Sequence, residues 1–418
     1  MTANSITSTD TDSSTCLIQF QQTGDNVKMQ LERNVPIDVT FTLASDSLRF
    51  FVYASNNAKN SAGDTFIATN FVLSKYITNP IIDSALNDIA ELQVDVQALT
   101  AAYHDLPNNP YQTAWYKVSS GVTTQNFVEV ISTTHAHCKT DAQLANLANE
   151  YEHVAISNYY PSTPWYPLAA HYSSVPEGFM GSPNGEQAHF SDTAAGVHIN
   201  GVGSWLTHDT DEYDGTVIDG VRDIVSELQF QNAGGATINH PFWSGMTSSD
   251  IINLLDKSTG IFGMEIYNAS CEWNNSAGKG YSLTLWDEVL GTGRQIFGLA
   301  VPDHWVEYQP TDTHGFGYNH LLVRSKTEQE ILLAYSFGRF YSSIKNDSLK
   351  FTNIMYRTST GMSVELSESC TIKFITAAGT VSTVTGTTAT YTPTDDDIYV
   401  RVEATNGTNT LYSNAVII

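Results

Sequence analysis

Ile131-Ser-Thr-Thr-His-Ala-His-Cys138 places two imidazoles, His135 and His137, one residue apart at the end of an apolar run. In a strand, residues i and i+2 project from the same face, so both rings can reach one ion. A lone His-x-His is common. The histidine map gives this one weight, because eleven of the 12 histidines lie between residues 135 and 320, with only His104 outside. Several follow an apolar run directly: His240 comes after Ala236-Thr-Ile-Asn239, and Asp303-His304 after Ile296-Phe-Gly-Leu-Ala-Val301. Side chains at the carboxyl ends of strands collect into one pocket.

Outward from that stretch, apolar runs at 127–132, 154–157, 236–239, 263–267 and 296–301 alternate with helical patterns at 141–151, 217–231, 249–257 and 283–290. Strand and helix in that rhythm predict an α/β domain over 111–345, with function at the carboxyl ends of its strands. Before it, β-type runs at 16–20, 35–43 and 48–53 predict a small N-terminal β-domain over 1–80. Residues 81–110 change to a heptad, with Ile82, Ala85, Ile89, Leu92, Val96, Leu99, Tyr103 and Leu106 at alternating three- and four-residue steps. That stripe fits a short coiled coil of two or three strands, and equally a single amphipathic helix packed on its own domain. Pro107-Asn-Asn-Pro110 ends it. From 346 to 418, short β-runs every 8 to 12 residues predict a C-terminal β-sandwich.

The 418 residues exceed one ordinary domain, and about two to four units are expected. With 19 Lys+Arg against 44 Asp+Glu, the formal charge of −25 argues against nucleic acid or an anionic membrane as partner. Charged residues make up only 15% beside abundant Thr, Ser, Asn and Gly, a composition closer to extracellular or virion-surface proteins than to cytosolic enzymes. Cys16, Cys138, Cys271 and Cys370 are widely spaced without Cys-x-x-Cys, so neither a disulfide framework nor a thiolate zinc site is expected. No apolar run approaches the roughly 18 residues that span a bilayer, and the N-terminus lacks the features of a signal peptide, so a soluble chain without membrane insertion is expected.

The ordered series His135-Ala-His137, Val154-Ala-Ile-Ser-Asn-Tyr159, Glu186, Gly196-Val-His-Ile-Asn-Gly201, Gly234-Gly-Ala-Thr-Ile-Asn-His-Pro-Phe242, Gly263-Met-Glu-Ile-Tyr-Asn268 and Gly298-Leu-Ala-Val-Pro-Asp303 resembles the polymerase-and-histidinol-phosphatase (PHP) family of metal-dependent phosphoesterases. Gly317-Tyr-Asn-His-Leu-Leu-Val-Arg324 and the run at 334–343 resemble its closing part, so the likeness covers about half the chain, 125–345. It implies a distorted seven-stranded (β/α) barrel whose rim holds two or three metal ions. Matched position by position, His135, His137, Glu186 and Asp303 would bind the first ion, with Glu186 bridging to a second held by His198 and His240. Such a set suits Zn, Mn or Fe as a pair of divalent ions.

Three departures fall on positions the family uses for a third metal. Asn158-Tyr159 replaces Asp-His, Asp303-His304-Trp305 replaces Asp-x-His, and Cys138-Lys-Thr-Asp141 offers no further ligand. A binuclear site is therefore expected, with Tyr159 at the phosphate or His304 swinging in by a one-residue shift. Hydrolysis would use a water acidified by both ions, with His304 or Tyr159 protonating the leaving oxygen. Arg294, Lys139 and Arg222 are the candidates for gripping phosphate, against the plainer role of surface ion pairs. Trp165, Tyr166, Phe242, Trp243 and Trp305 could stack on a substrate, or simply pack. His153, His171, His208, His314 and His320 read as structural, His189 as nearer the pocket, and the acidic loop 209–215 as a solvated turn.

The function expected is a metal-dependent phosphoric ester hydrolase on an elongated scaffold: a phage tail or other virion appendage, or an extracellular protein. Its substrate would be a phosphorylated small molecule or cell-surface polymer, and its assembly a dimeric or trimeric homo-oligomer, together with other virion proteins. The competing readings are a receptor-binding module built on a degenerate PHP-like barrel, and a purely structural virion protein in which the six ligand positions do not converge.

Overall fold

The run Ile261-Phe-Gly-Met-Glu-Ile-Tyr-Asn268 forms a strand whose eight residues are all buried, as a parallel strand covered on both faces should be. The computed structural model describes the strands at 5–9, 15–23, 26–30, 49–52, 116–119 and 122–125. It also describes residues 107–112 and 127–418, apart from 160–163, 192–193, 207–216, 276–277 and 304–314. Two compact units result, Met1–Ile82 and Asp83–Ile418. In the first, β1 (Ser5–Thr9), β2 (Thr15–Thr23) and β3 (Asn26–Gln30) are antiparallel, and β4 (Arg49–Val52) joins parallel to β3. The heptad at 81–106 lies outside the described residues.

The second unit begins with a hairpin, β5 (Tyr116–Ser119) and β6 (Val122–Gln125). There follow β7 (Val128–Ala136), α1 (Asp141–Glu150), β8 (His153–Ile156), β9 (Met180–Ser182), β10 (Glu186–Ser191), β11 (Ala194–Ser204), α2 (Val217–Glu227) and β12 (Phe230–Ile238). Next come α3 (Ser248–Lys257), β13 (Ile261–Asn268), α4 (Ala269–Asn275), α5 (Leu283–Leu290), β14 (Phe297–Val301), β15 (Tyr318–Val323), α6 (Glu328–Ser336) and β16 (Phe340–Ser343). The chain closes with β17 (Phe351–Arg357), β18 (Gly361–Thr376), β19 (Gly379–Tyr391), β20 (Tyr399–Thr405), β21 (Thr410–Ser413) and β22 (Val416–Ile417). Threonine caps start three of the helices: the Thr140, Thr247 and Thr327 hydroxyls accept from backbone N–H groups of the first turns of α1, α3 and α6.

The fold is a mixed α/β structure dominated by strands. One sheet has the order β10-β11-β12-β13-β14, with β12, β13 and β14 parallel and β10, β11 and β12 antiparallel. The other runs β17-β18-β20-β21-β16-β15-β7-β8-β9, with β19 on β18 and β22 on β20. The C-terminal strands thus extend the sheet that carries His135, through pairs such as Tyr341 with Ser413.

These ladders do not close into the barrel that the motif series implies. Two seams separate them. At one, Tyr159 beyond β8 makes an isolated parallel bridge to Glu186. At the other, the Asn319 side chain takes the place of a strand, accepting from Ala300 N–H and donating to Ala300 C=O, each at 3.1 Å. Val130, Ala155, Val202, Phe262, Leu299, Val301 and Leu321 form a core that joins strands of both sheets. Helices α2, α3 and α5 cover the other face of β11–β13 through Val225, Leu254, Trp286 and Leu290 against Ile199, Ile238, Met264 and Ile266.

Candidate metal centre

Strand β7 delivers His135 and His137 on one face at its carboxyl end. Glu186 opens β10, and His198 pairs across the hairpin with Ala188, two residues from Glu186, so the two side chains share a face. His240 and Asp303 each lie two residues beyond a strand, β12 and β14, and both have left-handed backbone, with φ of 28° and 52°. Left-handed backbone is uncommon outside glycine and concentrates at functional sites. The Asp303 N–H donates to His135 C=O at 3.1 Å, which ties the end of β14 to β7.

All six residues converge in two groups, His135–His137–Glu186–Asp303 and Glu186–His198–His240, each with ligand atoms within 4.8 Å of one another. Glu186 divides its oxygens between them. Its Oε2 lies 3.2 Å from His135 Nε2 and 3.1 Å from His137 Nε2, while its Oε1 lies 2.7 Å from His198 Nδ1 and 3.8 Å from His240 Nε2. Asp303 Oδ1 completes the first group at 2.7 Å from His135 Nε2 and 3.4 Å from His137 Nε2. Except for Asp303, which is partly exposed, every member is buried.

The donor set fits divalent cations on two counts. His135 Nε2 and Glu186 Oε2 are buried without a hydrogen bond of proper geometry, the kind of unsatisfied donor set that a cation would satisfy. Imidazole nitrogen with carboxylate oxygen is also the chemistry that Zn, Mn and Fe accept. The charge state agrees. Burial lowers the His135 affinity for a proton, yet the charges of Asp303, Glu186 and Glu265 outweigh it and hold that imidazole well above its ordinary pKa. His240 is raised likewise against burial, by Glu186 and Asp303. Burial pushes the Glu186 carboxyl upward, but His135, His137 and His198 pull it well below its usual range. The carboxylates of the cluster thus favour positive charge at this spot, which is what a cation would bring.

A further layer of side chains holds these six, and none of its members was assigned a role from the sequence. Glu265 in β13 takes His135 Nδ1 at 2.6 Å on Oε1, and on Oε2 accepts the His240 backbone N–H at 2.7 Å and Asn268 Nδ2 at 2.8 Å. Asn268 Nδ2 also reaches Asp303 Oδ2 at 2.8 Å. Ser244 Oγ meets His240 Nδ1 at 3.1 Å, and Asn239 donates to Glu186 Oε1 at 3.2 Å. The available signal was the carboxylate inside an otherwise apolar buried run, since a fully buried Glu needs partners.

At the departures, Asn158 is spent on backbone: it accepts from Cys138 N–H at 2.9 Å and donates to Cys138 C=O at 2.7 Å. The Tyr159 ring stacks on His137 at 4.4 Å and is 46% exposed, so it borders the cluster on its solvent side. Trp243 lies edge-on to His240 at 4.9 Å. Other expected residues go elsewhere. Arg294 pairs bidentately with Asp256 and precedes β14, whereas Asp303 follows that strand; at about 3.3 Å per residue the strand holds them at opposite ends. Arg294 is therefore corrected from phosphate grip to surface ion pair. Arg222 pairs with Asp219 and Asp223 on α2, and Lys139 is exposed. His153 sits between Ser132 and Ser182, His171 stacks on Trp165, and His320 is held by Glu129 and Ser343. His304, Trp305, His208, His314, the loop 209–215 and the His189 side chain lie outside the described residues.

No protein-family model matches the chain, and no curated protein matches it. Among solved structures, the chain is similar to a two-domain protein containing a predicted PHP-like metal-dependent phosphoesterase from Bacteroides vulgatus ATCC 8482. Identity is 11% and the TM-score 0.34, over 67% of this chain and 92% of that one, too distant to establish membership of a family.

Proposed function

We propose that the chain is a metal-dependent phosphoric ester hydrolase with two divalent cations at the buried cluster. The observation that carries the reading is Glu186, buried, with one oxygen in each ligand group. Its His135, His137 and Asp303 partners would hold the first ion, and His198 and His240 the second. When bound, such cations supply Lewis acidity, acidifying a water and offsetting phosphoryl charge. The protein's own part is to fix the ligands on strand ends, to wall the pocket with Tyr159 and Trp243, and to offer the Tyr159 phenol as proton donor to the leaving oxygen; His304 is the other donor proposed from sequence. The phosphoester class rests on the motif series. The setting, a virion appendage or other extracellular protein acting on a phosphorylated small molecule or host surface polymer, rests on composition and on the domain layout expected from the sequence.

Metal analysis with a phosphomonoester and phosphodiester screen tests this. Two ions per chain and turnover lost in Glu186→Gln and His240→Ala are expected. A folded protein that takes up no Zn²⁺, Mn²⁺ or Fe²⁺ and turns over no phosphoester would overturn it and leave a ligand-binding module.

A further inference from the structure

Glu265 touches more of the cluster than any one ion site requires. Its two oxygens serve different purposes: Oε1 meets His135 Nδ1, and Oε2 meets the backbone N–H of His240 and the amide of Asn268, which in turn reaches Asp303. Glu265 is 1% exposed and lies in the middle of β13, a wholly buried strand. We propose that Glu265 is a positioning residue for both cation sites at once. The inference rests on the preceding reading that the cluster holds two cations.

A carboxylate at Nδ1 keeps a proton there and leaves Nε2, the atom facing Glu186 and Asp303, free to ligate. The left-handed backbone at His240 is one its residue type rarely adopts, and the hydrogen bond from its N–H to Glu265 fixes it with the ring toward Glu186. Through Asn268, the same carboxylate sets which oxygen of Asp303 is left for the first site, because Oδ2 is engaged and Oδ1 faces His135 and His137. Both ligand groups are thereby referenced to one side chain.

Substitution separates the two halves. In Glu265→Gln the amide oxygen can still accept from His240 and Asn268, but the amide nitrogen then faces His135 Nδ1 and requires it to be an acceptor. The proton moves to Nε2, and the first ion loses a ligand. Glu265→Leu removes both halves. Titration of the purified full chain with Mn²⁺, followed by the electron paramagnetic resonance of free Mn²⁺, reads stoichiometry and affinity without reference to activity.

Wild type is expected to bind two ions. Glu265→Gln should weaken one of them by about 10- to 100-fold and keep the other, and Glu265→Leu should weaken both, with thermal unfolding reporting that each variant is folded. If the leucine variant does not fold, Asn268→Ala gives the second reading, with the first ion weakened and the other unchanged. Two ions bound at wild-type affinity in Glu265→Gln would overturn the proposal while leaving the hydrolase reading intact. A wild type that binds no Mn²⁺, Zn²⁺ or Fe²⁺ would overturn both.

Discussion

Tyr159 stacks its ring on His137 and is half-exposed. Tyr159→Phe keeps the ring and removes only the hydroxyl. If the phenol is the proton donor, kcat should fall by about 100-fold with metal content unchanged; equal kcat values would reassign the donor. His153 is the opposite kind of residue. It is fully buried between two serine hydroxyls, and burial pushes its imidazole down to about 3. Below about pH 6.5 the unfolded chain therefore takes up a proton that the folded chain refuses until about pH 3. Stability from this group is present above pH 6.5 and is lost as pH falls through that window, with a slope approaching 1.4 kcal/mol per pH unit. Urea midpoints measured from pH 7 to 4 should fall less steeply in His153→Gln.

Strand β12 owes its course to Ala233-Gly-Gly235, where the pairing with β11 shifts register. Gly234 has φ of 104°, and a Cβ there would lie 2.1 Å from Val202 C=O. Gly234→Ala should cost about 3 kcal/mol in chemical denaturation, and because His240 follows β12 by two residues it should also loosen the proposed second ion site. The elements that sequence reasoning found share a cause. β14 is an apolar run and β13 is one but for Glu265 and Asn268, both strands being wholly buried, and α1 and α3 carry threonine caps, so hydrophobic pattern and cap chemistry agree. The hairpin of β10 and β11 did not announce itself, because the ligands Glu186 and His198 occupy inward positions where apolar residues would have marked it. Helix α4 is only seven residues, too short for a periodic signal. For the site, the His and Asp positions just beyond strands that converge in the two groups were legible from chain order. Arg294 was not, since proximity to a strand in sequence does not say which end of it a pocket occupies.

At the scale of the molecule, a cluster of buried charges is a cost that cations would offset. With free Mn²⁺ at about 100 times its dissociation constant, each bound ion adds about 2.7 kcal/mol, so thermal unfolding should shift upward with Mn²⁺ and return on chelation. An unchanged transition over that titration would mean that the cluster holds no ion in the folded state. The C-terminal strands are also tied to the helical layer. Arg401, 2% exposed, grips Asp287 of α5 with two 2.7 Å contacts and lies over Trp286. Its partner strand β21 pairs with β16, which pairs with β15, which pairs with β7. A chain cut after residue 345 would leave β16 with a bare row of backbone donors and acceptors, two strands from the one that carries His135. Exposed edges of that kind recruit strands from other molecules, so the C-terminal segment acts as a guard against self-association of the sheet that bears the site.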